Sequence, residues 1–131
     1  MARRNAIRNG VTVHFQQVDA LQESWPSLNI DVLVSNPPYI TEKERTDMER
    51  NVLDWEPELA LFVPDNDPLL FYRHIARIGL DLLSPSGTLY YEINRAYGAE
   101  TVSLLQQLGY HSVELRKDLS GNDRMVKAVK P

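Results

Sequence analysis

The 131-residue sequence predicts an α/β domain whose mostly parallel sheet ends in an antiparallel hairpin. Three observations lead there. Short apolar, β-branched runs alternate with segments of helical period, the pattern of strands crossed over by helices. The run "IDVLVSN", residues 30–36, is almost continuously apolar, as expected of a parallel strand covered on both faces. Finally, "LSGND" at 119–123 is far too short for a crossover helix, so the last strand must run antiparallel to its predecessor.

The elements follow in order. "ARRNAIRNG" joins good helix formers to Asn9-Gly10, where glycine suits a left-handed helix cap, so it reads as the end of a helix. "VTVHFQQVD" alternates Val11, Val13 and Phe15 with polar neighbours and reads as a strand closing at Asp19. The apolar strand at 30–36 closes at Asn36. Thr41 stands three residues before Glu44, a capping box that predicts a polar helix to about Arg50, and a loop carrying "DWEPELAL" follows. Asp67-Pro68 predicts the N-cap and first turn of a long helix, with Phe71, Ile75, Ile78 and Leu82 on one stripe and Ser84-Pro85-Ser86-Gly87 as its break. "TLYYEIN" is the next strand, and a helix from Tyr97 to Leu108 presents Val102, Leu105 and Leu108 before Gly109. "HSVELRKD" and "RMVKAVK" form the closing hairpin.

Composition narrows the chemistry. With 43% apolar and 24% charged residues the chain has the make-up of one soluble domain. It contains no cysteine, which excludes disulfides, thiolate metal sites and a cysteine nucleophile. His14, His74 and His111 have no ligand spacing, and no metal site is expected. A net charge of -4 disfavours nucleic acid as a partner. No apolar run approaches the roughly 20 residues of a membrane span, and the start lacks a secretory signal, so a cytoplasmic location is expected.

In open parallel sheets, ligands sit at the carboxyl ends of the strands. Asp19, Asn36 and Glu92 fall at or near such ends. The stretch Asn36-Pro37-Pro38-Tyr39 is the most informative. Proline has no N–H and holds its predecessor extended, so the carbonyls of Asn36 and Pro37 are denied the local pairing of a turn. With the Asn36 side-chain oxygen they provide acceptors on a rigid frame, suited to both hydrogens of a planar NH2 group, and Tyr39 supplies a flat face to stack on it. An amide nitrogen, whose lone pair is delocalised, becomes a nucleophile when so held and aimed. A plain strand-terminating turn, or a polyproline-type recognition segment, would use the same letters. Their place after a central apolar strand favours the site.

"VSNPPYI" closely resembles the amino-methyltransferase motif of S-adenosylmethionine enzymes. The set "NPPYI", "WEPELAL", "LLFYRHI", "LSPSGTLYYEI" and "DLSGNDRMV" is similar to the HemK/PrmC family of protein-(glutamine-N5) methyltransferases across essentially all 131 residues. The resemblance implies a Rossmann-like class I S-adenosylmethionine-dependent methyltransferase fold. It also implies methylation of the glutamine in the Gly-Gly-Gln motif of peptide chain release factors. Asn36 and Pro37 would accept from the glutamine amide, Pro38 and Tyr39 would complete that pocket, and Asp19, Ala20 and Asn36 would meet the cofactor.

Two departures stand out. Asn94 and Tyr97 replace the Gly and Gln that often follow "YYEI". The glycine-rich loop after the first strand of such enzymes and the acidic residue after the second have no counterpart: Gly10 is isolated, and the chain opens in what would be the helix after strand two. Residues 1–131 are therefore expected to be the carboxy-terminal part of a methyltransferase domain. The first two strands, that loop and the amino-terminal recognition domain would be absent. Such a chain is expected to be inactive alone, to bind S-adenosylmethionine weakly or not at all, and to associate through exposed sheet edges. The alternatives are an amino-methyltransferase acting on a ribosomal protein glutamine, adenine N6 or guanine N2, and a non-catalytic remnant that binds a protein.

Overall fold

A computed structural model describes residues 1–21, 25, 29–38, 40–41, 62–64 and 66–131. The polar helix expected after Thr41, through about Arg50, and the "DWEPELAL" loop lie outside the described residues. Helix α1, Ala2–Arg8, ends as its sequence predicts: Asn9 is the cap, Gly10 takes φ +65°, and the amides of Gly10 and Val11 return to the carbonyls of Ile7 and Ala6.

The next segment corrects an expectation. Residues 11–19 form no strand; the chain there lies in no ladder, with Val11 and Val13 exposed and the Arg3 guanidinium 5.2 Å from the centre of the Phe15 ring. Alternation supplies a face but no partner for backbone N–H and C=O groups, and a strand exists only where both are met.

Strand β1, Ile30–Ser35, is followed by the short β2, Ile40–Thr41, which pairs in parallel with β3, Phe62–Val63. Helix α2 runs Leu70–Leu82 and passes directly into β4, Leu83–Glu92. A 3-10 turn, Arg95–Tyr97, leads into α3, Gly98–Gln107, and the hairpin β5, His111–Lys117, with β6, Asp123–Val129, completes the chain. The main sheet has the order β1-β4-β6-β5. β1 and β4 are parallel, while β6 is antiparallel to both β4 and β5. The last strand is thus inserted between its hairpin partner and β4. All three carboxyl ends, of β1, β4 and β5, consequently share one edge with the start of β6.

Both long helices lie on one face. Ile75, Ile78 and Leu82 of the predicted stripe are buried, joined by Tyr72, Ala76 and Gly79, and the resulting core takes in Leu89, Tyr91, Leu105 and Val126. Packing at Gly79 is tight: a Cβ there would stand 2.6 Å from the Tyr110 hydroxyl, which donates to the Ala76 carbonyl at 2.7 Å. The predicted capping role of Asp67 is replaced by an ion pair. Its carboxylate takes both guanidinium nitrogens of Arg73, at 2.9 and 3.0 Å, and the α2 N-cap is Leu69. The expected break at Ser84–Gly87 falls inside β4, where Ser84 Oγ reaches the Ile30 carbonyl at 3.0 Å.

The expectation that the strand at 30–36 is covered on both faces is also corrected. Leu33 packs toward the helices, but Val32 and Val34 are 53% and 72% exposed. Across the register, Val34 adjoins Tyr90, and Met125 faces Glu92 on the same side, both substantially exposed. The near-continuous apolar run predicts two covered faces because strand composition reports hydrophobicity and not which layers are present. Among the described residues, β1 pairs only with β4.

Candidate active site

β1 delivers its last residue, Ser35, opposite Tyr91 of β4, so Asn36 emerges beside Glu92 at the carboxyl edge. Asn36 is exposed, the Pro37 ring is buried and Pro38 is half-buried. Thr41, buried, then enters the β2–β3 pair, so the Asn36-Pro37-Pro38 segment is held between two ladders. The fixed proline backbone and these two anchors keep the segment extended, with its polar amide toward solvent. Tyr39 lies outside the described residues.

Asp19 and Ala20 do not close a strand. One Asp19 carboxylate oxygen accepts the Leu21 amide at 2.9 Å, forming a turn of the kind Asp favours, while Ala20 packs against the core. Three His/Cys/Asp/Glu side chains able to share a metal ion are not found together among the described residues.

The structure adds parts of this edge to which the sequence reading assigned no role. Asn94, 2% exposed, donates its backbone N–H to the Tyr72 hydroxyl at 3.0 Å, and its side-chain oxygen caps Ala96 N–H at 2.9 Å. The Tyr91 hydroxyl donates to the Tyr72 carbonyl at 2.8 Å, and the two rings lie 5.2 Å apart. Burial raises the Tyr91 hydroxyl pKa well above its ordinary value, so it remains a donor. The end of β4 is thereby fastened to α2.

On its other side, Ile93 N–H donates to the Arg124 carbonyl at 2.8 Å, tying that end to the β5–β6 turn. The turn is organised around Asp118. One carboxylate oxygen accepts Ser120 N–H at 2.9 Å and Asn122 N–H at 3.0 Å, and the other accepts Arg124 Nε at 3.2 Å. Gly121 takes φ +84°, open to glycine, and its amide returns to the Asp118 carbonyl at 3.0 Å. Behind the turn, a Cβ on Gly98 would stand 2.7 Å from an Asp123 carboxylate oxygen, so α3 begins in close contact with β6. The signal in the sequence was "DLSGNDR", whose Asp and Arg are six residues apart. Only β6 entering between β4 and β5 brings it to the edge that carries Asn36.

The Asn122 amide, ahead of the Arg124 guanidinium and the Ser120 amide, holds the Asp118 carboxyl below the usual carboxylate range. The turn's stabilisation by this group is therefore complete above the ordinary carboxylate pKa and is lost as pH falls through the lower folded value. In an acid titration followed by amide NMR, Ser120 and Asn122 should keep their native shifts through the usual carboxylate range. They should lose them only below it; loss at the ordinary value would contradict the bonding.

Known proteins resemble this chain in sequence and in fold. Over 129 residues, 98% of the chain, it is 49% identical to the release factor glutamine methyltransferase of Bacteroides thetaiotaomicron. The enzyme of the same name from Flavobacterium psychrophilum is 46% identical over 126 residues, 96% of the chain. The likeness runs over nearly the whole chain, and both relatives are release factor glutamine methyltransferases. The chain spans 46% and 44% of the length of those two relatives. No family model matches it. Among solved structures, a methyltransferase from Pyrococcus furiosus superposes on 98% of the chain and 55% of its own, with a TM-score of 0.60 and 18% identity. TrmN from Thermus thermophilus superposes on 99% of the chain and 32% of its own, with a TM-score of 0.56 and 20% identity. These neighbours bear on the fold alone, and it is the Rossmann-like class I methyltransferase fold that the family resemblance implies. No described helix is long and apolar enough to cross a membrane.

Proposed function

We propose that this chain supplies the acceptor side of a methyl transfer from S-adenosylmethionine to the side-chain amide nitrogen of a release factor glutamine. The observation that carries the proposal is the rigid Asn36-Pro37-Pro38 segment at the carboxyl edge, in a chain so similar to relatives of that name.

In this reading the Asn36 side-chain oxygen and the Pro37 carbonyl accept the two amide hydrogens of the glutamine, and Tyr39 packs on its plane. Both acceptors favour a pyramidal nitrogen and aim its lone pair, lowering the barrier by orientation. The bound donor would supply an electrophilic methyl group on a sulfonium. After transfer the positively charged amide nitrogen sheds its proton readily, so no strong general base is assigned. Asp19, Ala20 and Asn36 are the residues proposed to lie against the donor.

The fit to the donor is partial. One Asp19 oxygen is already bonded to the Leu21 amide, and the sequence holds no glycine-rich loop to receive the donor's methionine and ribose. The expected result of calorimetric titration of the 131-residue chain with S-adenosylmethionine is no binding in the micromolar range. A micromolar dissociation constant would refute the partial fit and show that the residues present suffice to hold the donor. The function itself is tested by a chimera in which this chain replaces the matched 129 residues of the Bacteroides relative. Transfer of labelled methyl from S-adenosylmethionine to a release factor is expected, and transfer only to RNA or DNA would reject the glutamine reading.

A further inference from the structure

The β5–β6 turn is built more firmly than a connection requires, and its tip is apolar. Leu119 is fully exposed, held between Asp118 and Ser120, whose mutual bond fixes the tip from within. The Arg124 bond to Asp118 and the Ile93 bond to the Arg124 carbonyl fix it from behind. An isolated exposed leucine is ordinary on a protein surface. What distinguishes this one is its placement. Asn36 follows Ser35, which pairs with Tyr91; Glu92, the next residue of β4, pairs with Met125 of β6. Two strand spacings, about 10 Å, therefore separate the Asn36 position from β6 at Met125, and the base of the turn, Asp123, lies two residues farther toward the edge. An extended peptide advances about 3.3 Å per residue. A glutamine held at Asn36 would thus bring the residues a few places along its chain against Leu119.

We propose that the Asp118–Asn122 turn, with Leu119 at its tip, is a docking contact for the polypeptide that carries the acceptor glutamine. The proposal rests on the acceptor reading above and adds to it a second point of contact. Chemistry selects a polypeptide over a nucleic acid. The tip is apolar, and the cations beside it are already engaged, Arg124 with Asp118 and Lys117 with Asp123 at 3.4 Å. Phosphates would find no unengaged cation in the turn. A preformed turn also lowers the cost of binding, because the loop entropy is lost on folding and not on association.

The test uses the chain itself. The isotopically labelled 131-residue protein is titrated with a bacterial peptide chain release factor and followed by amide NMR, alongside Leu119→Ser and Asn36→Ala. Shifts are expected at Leu119–Gly121 together with those around Asn36, and Leu119→Ser should weaken binding about tenfold, the effect of losing one buried aliphatic contact. Its thermal midpoint should not move, since the side chain contributes nothing to the core. Unchanged affinity of Leu119→Ser, or shifts confined to the Asn36 region, overturns the docking contact while leaving the acceptor reading standing. Weakening by Leu119→Ser with no effect of Asn36→Ala supports the docking contact and counts against the acceptor role. Failure of the unsubstituted chain to bind the release factor rejects the docking contact outright.

Discussion

Replacing Asn36 with alanine is expected to lower methyl transfer by about 10²- to 10³-fold, the range found when one preorganised hydrogen-bonding group is removed from a reacting centre. The assay is the chimera of this chain with the remaining half of its Bacteroides relative. Asn36 is exposed at the end of β1 and lies outside the core, so the fold should be unaffected. The loss should therefore appear in kcat, with the KM for S-adenosylmethionine changing only a few-fold. That split matters: a residue needed mainly to hold the donor would raise the KM and leave kcat. Turnover within about twofold of the unsubstituted chimera would remove Asn36 from the reaction.

The second large effect concerns the frame behind the site. Tyr72→Ala should destabilise the fold by about 3–5 kcal/mol, as for other large aromatic truncations in a packed core. Tyr72 is 1% exposed, its ring meets Tyr91, and its hydroxyl receives the buried Asn94 amide. Tyr72→Phe separates the two contributions. It keeps the packing but leaves Asn94 N–H without that oxygen, at a cost of about 1–3 kcal/mol. Urea unfolding followed by circular dichroism measures both. Equal costs for the two variants would mean that the hydroxyl carries the whole effect. A negligible cost for Tyr72→Phe would show that the Asn94 amide finds another acceptor. Because Asn94 follows the β4 end that neighbours Asn36, loss of this bond should also broaden the amide signals of residues 92–94.

Some of this was legible because it is local. The helix stripe at Ile75, Ile78 and Leu82, the glycine after α1, the apolar run of β1 and the short connection that forces a hairpin are each decided within a few residues. The candidate acceptor segment belongs to the same class, since two prolines constrain the backbone wherever they stand. The misreadings are all non-local. Residues 11–19 have a strand's alternation, but a strand requires a partner that no local pattern supplies. Asp67 has the composition of a cap, yet a bidentate bond to Arg73, six residues along, is stronger than a single capping contact.

By itself, then, the sequence determined most of the helices and strands, residues 11–19 excepted, and where the rigid Asn36-Pro37-Pro38 stretch falls. It also carries, over nearly its whole length, a close likeness to release factor glutamine methyltransferases. Only the tertiary structure decided that β6 enters between β4 and β5, that one sheet face carries both helices while Val32 and Val34 remain exposed, and that the Asp118–Asn122 turn shares an edge with Asn36. The physical reason is range. Backbone preferences and side-chain period act over a few residues, whereas strand order and edge composition depend on contacts between segments far apart in the chain.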